Sequence, residues 1–293
     1  MLDGMTPDVL AAADRIRPHV RRTPLWRVEV DGRPLALKLE HLQLTGSFKL
    51  RGAVNTLLAA DVPDRVVTAS GGNHGLGVAA AARLLGAQAT VYVPESVPEG
   101  KARRIEAAGA KLIRTGSTYA EAVLAARAAP GFYVEAYNDP FVVAGQGTVA
   151  AEVVADAPDV DVIAVAVGGG GLAAGTALAG RHVAAVEPER CRCLHDALAA
   201  GEPVDSAVDS VAASALGATR VGAVPFELLR AASVSSVLVG DDELLAARDR
   251  LWEEFRLAVE PAAAVPFAAW LHDRVPGESV CVVLCGANTD WTP

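Results

Sequence analysis

The sequence predicts an α/β protein of mostly parallel sheets flanked by helices, and three observations predict it. From Asp64 onward, short apolar runs alternate with Ala-rich helical patterns, as in a parallel sheet covered on both faces. Glycines cluster where a strand hands over to a helix, at 71–72 and 168–171. The chain has 293 residues, 52% hydrophobic and 21% charged, enough to bury a large core.

Taken in order, a short helical pattern precedes Pro24–Glu40, where two alternating runs flank Asp31-Gly32, a dipeptide suited to a hairpin turn. Strands follow at Arg65–Ala69, Thr90–Val93, Lys111–Arg114, Phe132–Glu135, Val162–Val167, His182–Glu187, Val234–Val239 and Ser279–Leu284. Helical spacing spans Gly75–Leu85, Glu99–Ala108 and Asp242–Phe255, the last opening on acids that suit a helix N-terminus. Val162–Gly180 is uncharged for 19 residues, the length of a membrane span, but four glycines in its middle favour strand, tight loop and helix. Gly201–Asp209 is polar and reads as a surface connection.

A formal net charge of −9, with no basic stripe, argues against a nucleic-acid partner. Met1–Leu10 lacks the basic-then-apolar pattern of a signal peptide, and nothing reads as a membrane anchor. Cys191, Cys193, Cys281 and Cys285 are too few for a disulfide scaffold and suit reduced thiols, so a cytoplasmic location is expected. Lysine is scarce: Lys38, Lys49, Lys101 and Lys111 are the only four. Arginine stays charged, so any chemistry needing an amine nucleophile must use one of them.

Four segments stand out. Thr45-Gly46-Ser47-Phe48-Lys49-Leu50-Arg51-Gly52-Ala53 sets a lysine behind an aromatic and small residues at the start of a helix pattern. An isolated lysine there would be ordinary solvated surface. Ala69-Ser70-Gly71-Gly72-Asn73-His74-Gly75 follows a strand and opens a helix, so its amides can face an anion; a plain Gly-rich turn would look the same. Val167-Gly168-Gly169-Gly170-Gly171-Leu172 lets N–H groups converge on a phosphate without Cβ obstruction. Gly168-x-Gly170-x-x-Ala173 also fits a dinucleotide fingerprint, with Glu187 ending a strand 19 residues on, where a ribose-binding acid would sit. On that motif alone both readings stand. Leu284-Cys285-Gly286-Ala287-Asn288 closes an apolar strand, where a free cysteine is usually a small packed hydrophobe.

In this order the four segments resemble those of the serine/threonine dehydratase and serine racemase family, of pyridoxal-phosphate fold type II (tryptophan-synthase-β-like). Weaker similarities at Arg22-Thr23-Pro24-Leu25, Ala144-Gly145-Gln146-Gly147-Thr148 and Glu260-Pro261-Ala262 extend the resemblance from Arg22 to Asn288. The dinucleotide reading leaves the Lys49 and Asn73 segments unexplained, whereas the pyridoxal reading uses all of them. The resemblance implies two domains, each an open mostly parallel sheet flanked by helices: residues 64–143 inserted into a larger unit of 1–63 plus 144–293. It implies pyridoxal 5'-phosphate held covalently by Lys49, next to Phe48, with its phosphate cradled by Gly168, Gly169, Gly170, Gly171 and Leu172. Asn73 would bond the cofactor's 3-hydroxyl and Cys285 would face its ring nitrogen. Ser70, Gly71, Gly72, Asn73 and His74 would hold the substrate carboxylate. A homodimer is implied as well.

The activity so implied is elimination of water from L-threonine or L-serine, followed by release of ammonia and a 2-oxo acid. A β-replacement enzyme, a lyase for threo-3-hydroxyaspartate and a non-catalytic amino-acid sensor are the alternatives, and a retained Lys49 argues against the sensor. Two departures matter. Racemases of the family carry a serine where Gly71 stands, as a second acid/base, so racemisation is not expected here. The family's cation site uses an acid in a segment resembling Ser210–Ala215, which has no carboxylate, so no metal is assigned.

Overall fold

The computed structural model describes residues 8–291, so the reading of Met1–Leu10 lies almost wholly outside the described residues. After α1 (Val9–Ile16), β1 (Leu25–Val30) and β2 (Arg33–Lys38) form the hairpin, with Asp31 and Gly32 at φ of 52° and 73°, as a tight turn between twisted strands requires. Next come α2 (Lys49–Ala59), β3 (Arg65–Ala69), α3 (Asn73–Leu85), β4 (Gln88–Val93), α4 (Glu99–Ala107), β5 (Lys111–Arg114), α5 (Tyr119–Ala128) and β6 (Phe132–Tyr133). The second half runs α6 (Pro140–Asp156), β7 (Val162–Ala166), α7 (Gly171–Ala177), β8 (His182–Pro188), α8 (Cys193–Ala200), α9 (Ala213–Leu216) and α10 (Ala223–Arg230). It ends with β9 (Val234–Val239), α11 (Asp241–Phe255), α12 (Pro261–Leu271) and β10 (Val280–Val283).

The strands make two sheets. The larger has the order β1-β2-β10-β7-β8-β9 and is parallel except at β1; the smaller, β5-β4-β3-β6, is parallel throughout. All four strands of the smaller sheet lie between Arg65 and Tyr133. Packing does not divide at the same residue, because Leu50, Ala53, Val54 and Leu57 of α2 share a core with Val66, Val78 and Val91 of the smaller sheet. The central strand β7 is buried at every position, which explains its uncharged sequence. No helix among the described residues is long and apolar enough to cross a membrane.

Three strands fall short of their expected lengths: β7 ends at Ala166, β10 spans only Val280–Val283, and β6 loses half. β6 stops at Tyr133, where Phe132–Glu135 was expected. The Val134 carbonyl instead accepts from the Thr68 hydroxyl at 2.9 Å and lies 3.2 Å from His74 Nε2. The chain then leaves the sheet towards α6.

Two features fix the helix that begins at Lys49. The first is a buried charge cluster: Arg51 meets Glu40 (2.7 Å) and Glu152 (2.8 Å), and Lys38 meets Glu152 (2.6 Å) and the Thr23 carbonyl (2.8 Å). Two cations and two carboxylates compensate one another, the condition under which buried charge is tolerated. The second is glycine-to-glycine contact. A Cβ on Gly145 of α6 would lie 2.6 Å from Gly52 Cα of α2, and one on Gly175 of α7 would lie 2.5 Å from Gly147 N of α6. Only bare backbone lets these helices meet so closely.

Candidate active site

A cleft of about 440 Å³ opens between the two sheets, at the C-terminal ends of β3 and β7. This volume lies within the range of small-molecule sites. Phe48, Lys49, the Ser70–His74 loop, Gly168 to Leu172 and Cys285 all line it, so the four sequence segments converge on one place.

Lys49 heads α2, and its Nζ donates to the Ala136 carbonyl at 2.9 Å and lies 5.2 Å from the Phe48 ring centre. It is accessible from the cleft, yet enough protein surrounds it that desolvation lowers its pKa from 10.5 to about 8. The other lysines differ. Lys38 is spent in the charge cluster, Lys111 is exposed on β5, and Lys101 reaches the cleft from α4.

The tetraglycine loop joins β7 to α7. The N–H groups of Gly168, Gly169 and Gly170 find no protein acceptor among the described residues, whereas Val167 N–H still pairs with Val186. No side chain is tolerated here. A Cβ on Gly169 would lie 2.3 Å from the Tyr137 ring, and Gly170 has φ +93° with Pro225 2.8 Å from where its Cβ would be. Below the loop, Cys193 Sγ donates to the Gly168 carbonyl at 3.2 Å. Glu187, the acid required by the dinucleotide reading, is fully buried and accepts from the N–H groups of Leu194 and His195 at 2.9 and 2.8 Å. Its carboxylate caps α8 and cannot reach a ribose; burial pushes its pKa up to about 8. The dinucleotide alternative fails on that placement.

On the facing wall, α3 begins at Asn73 with no side-chain cap, leaving first-turn amides free for an anion. The Ser70 hydroxyl accepts from Gly72 N–H at 3.1 Å and so shapes the loop from within. His74 turns inward: its imidazole lies 2.9 Å from Thr68 Oγ1, and burial lowers its pKa to about 3, so it is neutral and only its backbone faces the loop. Asn73 donates to Glu260 at 2.8 Å and accepts from Asn288 Nδ2 at 2.7 Å. Cys285, at the cleft floor near Lys49, is buried, and desolvation pushes its thiol well above the usual range. It is a neutral neighbour, not a thiolate.

These residues fit pyridoxal phosphate. A glycine cradle whose amides lack partners suits a phosphate, a desolvated lysine suits an aldehyde, and the cleft is large enough for the ring. The sequence reading gave no site role to several cleft residues, among them Glu260, Tyr137, Lys101 and Tyr119, whose hydroxyl donates to the Ala69 carbonyl at 3.2 Å. Glu260 lay in the Glu260-Pro261-Ala262 similarity and Lys101 among the four lysines, whereas Tyr137 and Tyr119 carry no signal.

Comparisons with known proteins identify the family. An L-threonine ammonia-lyase of Geobacter sulfurreducens is 40% identical over 299 aligned residues, covering 95% of this chain and 74% of that protein. A putative threonine dehydratase of Sinorhizobium fredii is 37% identical, covering 95% and 90%. Among solved structures, a threonine deaminase from T.th. superposes with a TM-score of 0.92 at 36% identity, covering 98% of this chain and 99% of that one. Maize serine racemase superposes at 0.90 with 27% identity, covering 98% and 95%. The family model described as pyridoxal-phosphate dependent enzyme matches residues 16–286, and the chain belongs to that family, with pyridoxal phosphate as its cofactor.

Proposed function

We propose that this protein is an ammonia-lyase that eliminates water from L-threonine or L-serine and releases ammonia and a 2-oxo acid. The observation that carries the reading is the meeting of Lys49, the tetraglycine loop and the Ser70–His74 loop in one cleft, in a chain 40% identical to an L-threonine ammonia-lyase. When bound, pyridoxal phosphate supplies the electron sink that lets the substrate lose its Cα proton.

Each protein group has a part. Lys49 would hold the cofactor covalently, and its amine, desolvated to a pKa of about 8, is well matched to accept the substrate's Cα proton near neutrality. Backbone amides of Gly168 to Leu172 would hold the phosphate. The N-terminal amides of α3 hold the substrate carboxylate, which keeps the Cα–H bond pointed at Lys49. Asn73 would bond the cofactor's 3-oxygen. Cys285 would offer the ring nitrogen a neutral partner and not a carboxylate. The balance closes: Cα–H and Cβ–O break, water departs, and the released enamine takes up water and loses ammonia.

The two-domain division at 64–143, a homodimer and a cytoplasmic location belong to the same reading. Sedimentation and cell fractionation test the last two. For the activity, purified protein should be yellow, bleach with borohydride and form 2-oxobutanoate from L-threonine or pyruvate from L-serine. Lys49→Ala should abolish turnover with the fold intact. Turnover by that variant at the parent's rate, or reduced cofactor on Lys38, Lys101 or Lys111 in peptide maps, would move the site elsewhere.

A further inference from the structure

Glu260 is buried, with 4% of its surface accessible, at the edge of the cleft. It stands at the N-cap of α12, where its carboxylate would ordinarily satisfy the helix, but makes no side-chain cap bond there. The carboxylate reaches across to α3 and accepts from Asn73 Nδ2 at 2.8 Å. Room for that reach comes from Gly286: a Cβ at this position would lie 2.2 Å from Glu260 Oε1. Two residues on, Asn288 Nδ2 donates to Asn73 Oδ1 at 2.7 Å and to the Thr45 carbonyl at 2.8 Å. The segment Cys285-Gly286-Ala287-Asn288 therefore serves Asn73 from two directions. Burying a carboxylate is unfavourable, and burial pushes this one up to about 7 against the pull of Asn73, the Asn288 backbone, Lys101 and Arg104. A group kept at that cost, and not used by its own helix, is a candidate for function.

An amide has one acceptor oxygen and two N–H donors. In Asn73 the oxygen is taken by Asn288 and one N–H by Glu260, while the second N–H has no protein acceptor among the described residues. Turned over, the same amide would offer the cleft a carbonyl, but its N–H groups would then face the Asn288 donor and its oxygen the Glu260 acceptor. We propose that Glu260 is a positioning residue: with Asn288 it fixes which way round the Asn73 amide lies, so that the cofactor meets a donor there and never an acceptor. A donor beside the cofactor's 3-oxygen favours the anionic oxygen, whereas an acceptor favours the hydroxyl. These two forms absorb at different wavelengths. The proposal rests on the reading that Asn73 touches the bound cofactor.

The test is a double-mutant cycle on loaded protein, read by the ratio of the long- to the short-wavelength band at fixed pH and by pyridoxal-phosphate affinity. The comparison is made above pH 8, where the carboxylate is ionised and only accepts; Glu260→Gln replaces it with an amide that can also donate. It should shift the band ratio towards the short-wavelength form by roughly fivefold, a coupling typical of groups sharing a hydrogen bond. In an Asn73→Ala background the same substitution should leave the ratio unchanged. An equal shift in both backgrounds, or none in either, overturns the proposal. A spectrum and affinity of Asn73→Ala identical to the parent would instead refute the underlying contact, and the proposal with it. Glu260→Asp, which keeps the charge but falls short of Asn73, enters the same cycle if Glu260→Gln does not load the cofactor.

Discussion

Gly169→Ala tests the tetraglycine loop with a single methyl group. The added Cβ would sit 2.3 Å from both Cδ1 and Cγ of Tyr137 and 2.4 Å from Cε1, where ordinary contact is 3.4–4 Å. The ring cannot easily swing aside. Cγ is its hinge end, Tyr137 Cβ already lies 3.1 Å from where a Gly171 Cβ would be, and the neighbouring Ala136 carbonyl holds Lys49. The loop must therefore give way, by about an ångström, at the amides proposed to hold the phosphate. Overpacking of this kind costs about 1–3 kcal/mol. If the strain falls on the loaded loop, pyridoxal-phosphate affinity should drop ~5- to 150-fold, at 1.4 kcal/mol per factor of ten. The assay is titration of cofactor into stripped protein, followed by absorbance. Gly169→Ala/Tyr137→Ala removes the obstructing ring and should recover much of the affinity. Parental binding by Gly169→Ala, or a double variant no better than the single, would refute the reasoning.

The other predictions test neighbouring groups. Because burial holds the Lys49 amine at about 8, the rate of cofactor attachment should rise with pH and level off above about 8; a half-point near 10.5 in stopped-flow absorbance would show that the amine is not desolvated. Gly71→Ser should depress activity and give little D-serine, because its Cβ would lie 2.7 Å from Val97 Cγ2; Val97→Ala should relieve the crowding, and chiral chromatography showing D-serine as abundant as pyruvate from Gly71→Ser would contradict this. Glu187 has a folded pKa of about 8 against an ordinary value of 4.5, so the folded chain holds its proton longer than the unfolded one. That contribution to stability is full below about pH 4.5 and lost as pH rises through about 8. Glu187→Gln should flatten the decline in Tm across that window, and an unchanged slope would show that Glu187 does not cause it.

What the sequence makes legible is what short contiguous strings accomplish. Lys49, the Ser70–His74 loop, Gly168–Gly171 and Cys285 each sit in a segment whose own geometry suits its task, so their types and spacing carry the signal. Strands buried on both faces are equally plain, as at Val162–Ala166. The tasks of Glu260 and Tyr137 are not legible, because they arise only where distant segments meet: Glu260 against Asn73, 187 positions away, and Tyr137 against the loop at Gly169. The inward turn of His74 depends on Thr68 and Val134, which no motif contains. The same carbonyl of Val134 explains why β6 ends early, since side chains claim a group the ladder would otherwise use.

The glycine contacts among α2, α6 and α7 extend to α3, where a Cβ on Gly77 would lie 3.1 Å from the Lys49 carbonyl carbon. Four helices bearing the walls of the cleft thus touch through main-chain atoms, which have no rotamers to adjust. The calibre of the site is set by bare backbone before any ligand arrives, like a bore cut in solid stock. A relative with a taste for bulkier amino acids has little to gain by sliding these helices. Its changes belong instead among side chains that line the cleft, such as Ser96, Val97 and Tyr119.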